Sequence, residues 1–144
     1  MDDLTFAIQA RWKGSDGEGQ ILAADQRIRY SGPDNMGGRG VGTNPEQLLL
    51  AAVTACYSGT LHRVLEKAAL PAAHVRVDTV GTVENYPRAP RFSRIVVSPT
   101  VEGGDAARLA EYEAAAHRAR DLCFIGRTVR DALDYAVGTV SVAD

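Results

Sequence analysis

One segment limits what this chain can become. Thr43-Asn44-Pro45-Glu46-Gln47 combines helix-capping residues, a proline suited to a first turn, and a glutamate three positions after the threonine, the spacing of a capping box. From Leu48 through Tyr57 the helix that follows is apolar on every face, which predicts burial all round. Pro71 ends it near Leu70. At roughly 25 residues the rod is about 37 Å long. In a chain of 144 residues, the rest must be built around it.

The flanking segments read as strands and one further helix. Leu4 to Trp12 alternates, with Phe6, Ile8, Ala10 and Trp12 on one side, and predicts a half-buried strand. Gly14 to Gly19 is a turn, Gln20 to Tyr30 a second, less regular strand pair, and Ser31 to Gly42 a glycine-rich extended loop. Beyond the helix, Val75 to Glu84 alternates again. Arg91 to Val101 is its hairpin partner, with Pro99 placing the far end at an edge or bulge. Asp105 caps a second helix running to about Cys123, with Leu109, Tyr112, Ala116, Ala119 and Cys123 in one stripe. Arg127 to Leu133 reads as a short helix and Tyr135 to Val142 as a closing strand. The expected class is α+β, an antiparallel sheet with helices on one face, in a single domain over residues 1–144.

Charge excludes one class of partner. Sixteen Lys and Arg against eighteen Asp and Glu leave a net charge of −2, with no basic footprint for nucleic acid. No uninterrupted apolar run reaches the ~18 residues of a membrane span. The acidic start, Met1-Asp2-Asp3-Leu4, is unlike a basic secretory leader, so a cytoplasmic protein is expected.

The chemistry rests on two cysteines, Cys56 and Cys123, 67 positions apart. Neither has a cysteine neighbour at the short spacing of a zinc site. Cys56–His62 and His117–Cys123 are each six apart, which on a helix turns the partners to different faces. Two readings follow: buried, inert thiols, or a transient catalytic pair. Cys56 falls mid-helix and Cys123 at a helix C-terminus, where a thiolate is disfavoured. A free thiol near pKa 8.5 is only about 3% ionised at pH 7, so an attacking sulfur needs help from a neighbour. Arg39, in the glycine-rich loop before the helix of Cys56, is the candidate cation.

Gly42-Thr43-Asn44-Pro45-Glu46-Gln47-Leu48, followed by Ala55-Cys56-Tyr57, resembles the signature of the OsmC/Ohr family of organic hydroperoxide reductases. The likeness covers nearly the whole chain, and Ala10-Arg11-Trp12-Lys13-Gly14 is closer to the OsmC branch. The resemblance implies a thiol peroxidase without metal or flavin. Cys56 would attack an alkyl or lipid hydroperoxide and become a sulfenic acid, and Cys123 would resolve it as a disulfide. A dithiol, typically a lipoylated protein, would restore both thiols. Glu46 matches the family glutamate, which pairs with an arginine that holds the thiolate. Three positions depart from the pattern. Cys123-Phe124-Ile125-Gly126 stands where the family has Cys-Pro-x-Ser. The OsmC-branch arginine aligns near Asn35 or Met36 rather than Arg39, leaving Arg11, Arg27 and Arg29 as alternatives. The arginine of the Ohr turn falls near Ser15.

Glu46 and Cys56 lie about 15 Å apart along one straight helix. Two antiparallel copies of that helix would instead bring Glu46 of one chain towards Cys56 of the other, so a two-fold dimer sharing its active sites is expected. The resemblance likewise implies entwined dimers. Leu49, Ala52 and Val53, with Phe124 and Ile125, are the expected walls of an apolar substrate pocket. The competing expectation is a binding or stress protein that keeps the fold with little or no peroxidase turnover.

Overall fold

A computed structural model describes all of residues 1–144. Three strands near the start form an antiparallel meander: β1 (Gln9–Lys13), β2 (Glu18–Ala23) and β3 (Gln26–Tyr30). The loop after β3 is closed on itself. Ser31 Oγ donates to the Val41 carbonyl at 2.7 Å and accepts the Val41 amide at 2.9 Å, and Tyr30 bridges to Thr43. Gly42 is required there. Its φ is +68°, and a Cβ would meet the Arg29 carbonyl at 2.3 Å. This meander and loop belong to a first unit, Met1–Leu49, and the remainder, Leu50–Asp144, forms a second.

Helix α1 (Pro45–Lys67) starts in the first unit and continues into the second. Its cap differs from the expected one. Asn44 Oδ1, not Thr43, accepts the Gln47 amide at 2.8 Å, and Thr43 Oγ1 donates to Gln47 Oε1. Thr43's own amide is committed to the Arg29 carbonyl, so Glu46 has no capping-box partner to reach for. The helix ends three residues before the expected point, at Lys67. Ala69 adopts φ +54° and the Leu70 amide bonds to the Leu65 carbonyl, a Schellman closure made without glycine.

By length and composition alone α1 could cross a bilayer, but Val53, Tyr57, Leu61, Val64 and Leu65 are buried in the core of the second unit. The expectation of burial on every face fails for this chain taken alone: Ala51, Ala52, Ala55 and Gly59 are exposed.

The second unit is the α+β arrangement expected. β4 (His74–Glu84) pairs antiparallel with β5 (Arg91–Glu102) along their full length. Two short strands, β6 (Asp134–Val137) and β7 (Ser141–Ala143), pair with β5 in parallel, where one closing antiparallel strand was expected. β5 is therefore central rather than an edge. Pro99 is tolerated because β6 registers with Arg94–Val97 and β7 with Thr100–Glu102, so neither faces Pro99. Thr54 on α1 meets Thr79 on β4 at 2.6 Å between hydroxyl oxygens. A Cβ on Gly81 would strike Phe92 and Leu50, so the helix lies close on this sheet.

Asp105 caps as expected, accepting the Ala107 amide at 3.1 Å, but the first turn is a 3-10 turn and α2 runs Leu109–Leu122. The following helix, α3, spans Phe124–Val129, several residues earlier than its expected place.

Candidate active site

Cys123 is both the C-cap of α2 and the N-cap of α3. Its backbone is extended, φ −62° and ψ 112°, which breaks one helix and starts another. The start of a helix leaves amide N–H groups without intrahelical acceptors. Here those of Phe124 and Ile125 are directed at the sulfur of Cys56, and that of Gly126 at the sulfur of Cys123 itself. The two sulfurs are close enough for each to shift the ionisation of the other, and both are free thiols.

The pair is asymmetric. Cys56 is partly exposed and Cys123 is fully buried, with 0% accessibility. Burial is the largest influence on Cys56 and opposes its ionisation. The Ile125 amide, the Cys123 thiol, the Phe124 amide and the Thr60 hydroxyl together outweigh it, so the thiol sits below its ordinary pKa. Cys123 is pushed up, first by burial and then by the neighbouring Cys56 sulfur, although the Gly126 amide works the other way. Cys56 thus ionises first, while Cys123 keeps the proton it donates.

Two further side chains complete the surroundings. Thr60, one turn beyond Cys56 on α1, is 5% exposed and turns its hydroxyl to the sulfur. Arg63 Nη2 donates to Thr60 Oγ1 at 3.4 Å. A guanidinium only donates, so Thr60 spends a lone pair on Arg63 and retains its proton for Cys56. On the other side, the buried Tyr135 hydroxyl lies against the Cys123 sulfur without the geometry of a full hydrogen bond, and no other polar group satisfies it. Burial and the neighbouring thiols push its pKa up, so it stays protonated. The Tyr135 ring rests on Gly126, where a Cβ would come within 2.1 Å of it.

The remaining expected residues have other surroundings. Arg39 is held within the first unit, by Glu18 at 3.3 Å and by the Asp16 carbonyl, and Glu18 is also clasped by Arg29 through two bonds of 3.0 and 3.1 Å. Each group acting on Cys56 within its own unit is a thiol, a hydroxyl or an amide. Glu46 is half-buried, and its Oε1 is fully buried without a hydrogen-bond partner.

Val53 is fully buried in the core, so it cannot wall an open pocket. Ala52 is exposed, Leu49 and Ile125 are half-buried, and Phe124 is 61% exposed beside the thiols. No group of His, Cys, Asp and Glu side chains is arranged to hold a metal ion.

Sequence reasoning missed Thr60, Tyr135 and the amides of Phe124 and Ile125. The four-residue interval from Cys56 to Thr60 is a legible helical signal. The amides were hidden because the next helix was expected from Arg127, and nothing in Cys123-Phe124-Ile125 marks a helix start.

The family model for OsmC-like protein matches residues 37–137, a span that contains Glu46, both cysteines and the segment between them. Protein YmaD of Bacillus subtilis, itself uncharacterised, is 30% identical over 102 residues, covering 70% of this chain and 68% of its own length. The OsmC-like protein of Mycoplasma pneumoniae superposes with a TM-score of 0.82 at 15% identity, covering 99% of this chain and all of that one. The organic hydroperoxide resistance protein OsmC of Legionella pneumophila gives 0.74 at 22% identity, covering 98% and 99%. Fold, matched span and the two converging thiols agree, and the chain belongs to the OsmC-like family.

Proposed function

We propose that this protein is a thiol peroxidase that reduces organic hydroperoxides to alcohols, on the strength of one observation. A partly exposed thiol with a lowered pKa lies beside a buried thiol whose pKa is raised. That asymmetry suits a division of labour between attacking and resolving sulfurs.

The Cys56 thiolate attacks the distal oxygen of a hydroperoxide. An S–O bond forms, the O–O bond breaks, and the alkoxide leaves and takes up a proton to become the alcohol. Cys56, oxidised to a sulfenic acid, is then attacked by the Cys123 sulfur. The S–S bond forms as hydroxide departs and is protonated to water. A dithiol reductant, such as a lipoylated protein, exchanges with the disulfide, is itself oxidised, and returns two thiols. The amides of Phe124 and Ile125, with Thr60, hold negative charge on Cys56 before attack and accommodate the sulfenic oxygen afterwards. The protein acts as a two-fold dimer in this reading. The unpartnered Glu46 oxygen supports it, since a buried carboxylate oxygen without a donor asks for a cation from elsewhere.

Site-directed variants separate the roles. Cys56→Ser abolishes reduction of cumene hydroperoxide. Cys123→Ser still consumes one equivalent of peroxide but does not turn over with a dithiol. Undiminished turnover by Cys56→Ser is incompatible with the proposal, as is full dithiol-dependent cycling by Cys123→Ser.

A further inference from the structure

Cys123 is 0% accessible, so its sulfur cannot turn to solvent when it gives up a proton. The titratable groups that face it are Cys56 and Tyr57 from α1 and Tyr135 from β6, and from α3 it meets the Gly126 amide. One cation stands close by: Arg120 of α2 lies 5.7 Å from the centre of the Tyr135 ring and is paired with Asp121 at 2.7 Å. Tyr57 is already engaged, since its hydroxyl donates to the Ala116 carbonyl at 2.9 Å. The Tyr135 hydroxyl is not. It is fully buried, on a residue 1% exposed, and no group completes a hydrogen bond with it.

A buried hydroxyl left unbonded costs stability, and folded chains carry few of them. This one is fixed from three sides. Tyr135 registers with Ile95 on β5, and Arg120 Nε donates to its carbonyl at 2.8 Å with the guanidinium over the ring. On α3, Gly126 leaves to the ring the space that a Cβ would fill. The ring therefore has little freedom to seek another acceptor, and only the neighbouring sulfur can change. A neutral thiol is a weak acceptor, whereas hydrogen bonds to an ionised group are strong. The hydroxyl is thus orphaned while Cys123 holds its proton and satisfied once Cys123 is ionised. It is a donor set in place for charge that develops only during reaction.

We propose that the Tyr135 hydroxyl is the donor that holds Cys123 as a thiolate, which makes Tyr135 a catalytic residue of the resolving step. The catalytic part rests on the peroxidase reading. While Cys56 is a thiolate, its charge opposes that of Cys123, and oxidation to the sulfenic acid removes that charge. Cys123 then releases its proton, accepts the Tyr135 O–H, and attacks the sulfur of Cys56. The S–S bond forms, the S–O bond breaks, and the departing hydroxide takes up one proton to become water. That proton balances the one lost by Cys123. Tyr135 keeps its own throughout, as burial and the neighbouring thiols dictate.

Tyr135→Phe removes the hydroxyl and leaves the ring over Gly126. Because the lost group has no partner in the reduced protein, the variant melts no lower than the unsubstituted protein. Two measurements read the role. Cys56→Ser leaves Cys123 as the only thiol, and NMR of isotope-labelled cysteine follows its Cβ shift through a pH titration. Adding Tyr135→Phe moves the midpoint to higher pH by about one unit. With both cysteines present, Tyr135→Phe consumes one equivalent of cumene hydroperoxide as fast as the unsubstituted protein. Its disulfide forms roughly tenfold more slowly, and dimedone traps correspondingly more sulfenic acid on Cys56. An unmoved midpoint, or disulfide formation at an unchanged rate, overturns the proposal. So does a lowered melting temperature with both steps slowed alike, which leaves the side chain a packing role only. If the midpoint moves while the unsubstituted protein consumes no hydroperoxide, Tyr135 stands as the donor to the Cys123 thiolate and the peroxidase reading is the one that fails.

Discussion

The amides of Ile125 and Phe124, the Cys123 thiol and the Thr60 hydroxyl favour the charged form of Cys56, while partial burial works against it. The pH dependence follows from the sign of that balance. Ionisation of Cys56 is complete at a lower pH than for an ordinary thiol near 8.5, and that of Cys123 at a higher one. Alkylation by iodoacetamide, followed peptide by peptide, therefore rises at Cys56 first and levels off as pH increases. Cys123 reacts only in more alkaline solution or after unfolding. Reversed order of labelling contradicts the assignment of roles.

Phe124→Pro isolates one donor. Proline is tolerated at the first position of a helix, and the extended backbone of Cys123 is what a residue before proline prefers, so α3 should survive while the amide proton is lost. Alkylation of Cys56 at neutral pH should slow roughly tenfold, as for a lost hydrogen bond to a charged group, with the difference vanishing at high pH. An unchanged neutral-pH rate means that the amide does not stabilise the thiolate.

At the scale of elements, the site depends on how α3 is seated. Gly126 lies under the Tyr135 ring with no room for a methyl group, so Gly126→Ala should cost about 1–3 kcal/mol of stability, read as a lowered midpoint in urea. The same substitution displaces the start of α3, and the first oxidation of Cys56 slows with it. A variant as stable and as reactive as the unsubstituted protein shows that α3 has slack to give.

The elements themselves were largely legible. Alternation in Val75–Glu84 and Arg91–Val101, the proline at the start of α1 and the apolar stripe of α2 are periodic signals, and the structure has a strand or helix at each. What escaped was set by tertiary contacts. Pro99 sits in a central strand because two short strands divide its neighbouring edge between them. The end of α2 at Cys123 was expected, but the start of α3 at Phe124 has no turn residue to announce it, and its amide donors were missed with it. The two thiols were legible as residues, through their match to a family signature, but their asymmetry comes from burial and from α3, which one sequence does not display.

For the whole molecule, the first unit exposes more apolar surface than a solitary chain tolerates well. Phe6 is 90% exposed, Ile8 69% and Trp12 54%, on the segment expected to be a half-buried strand. A second copy of the chain covers this surface in the proposed dimer. Light scattering should give twice the mass of one 15.4 kDa chain, and Phe6→Ser/Trp12→Ser should shift the population towards monomer. A monomeric unsubstituted protein at micromolar concentration rules the shared site out.

The most direct measurement is a titration of the reduced protein with one equivalent of cumene hydroperoxide, followed by mass spectrometry of its proteolytic fragments. The account predicts loss of both thiols, a linked pair of fragments carrying Cys56 and Cys123, and recovery of both thiols on addition of a dithiol. Fragments in which both cysteines remain free, with the peroxide unconsumed, would contradict it.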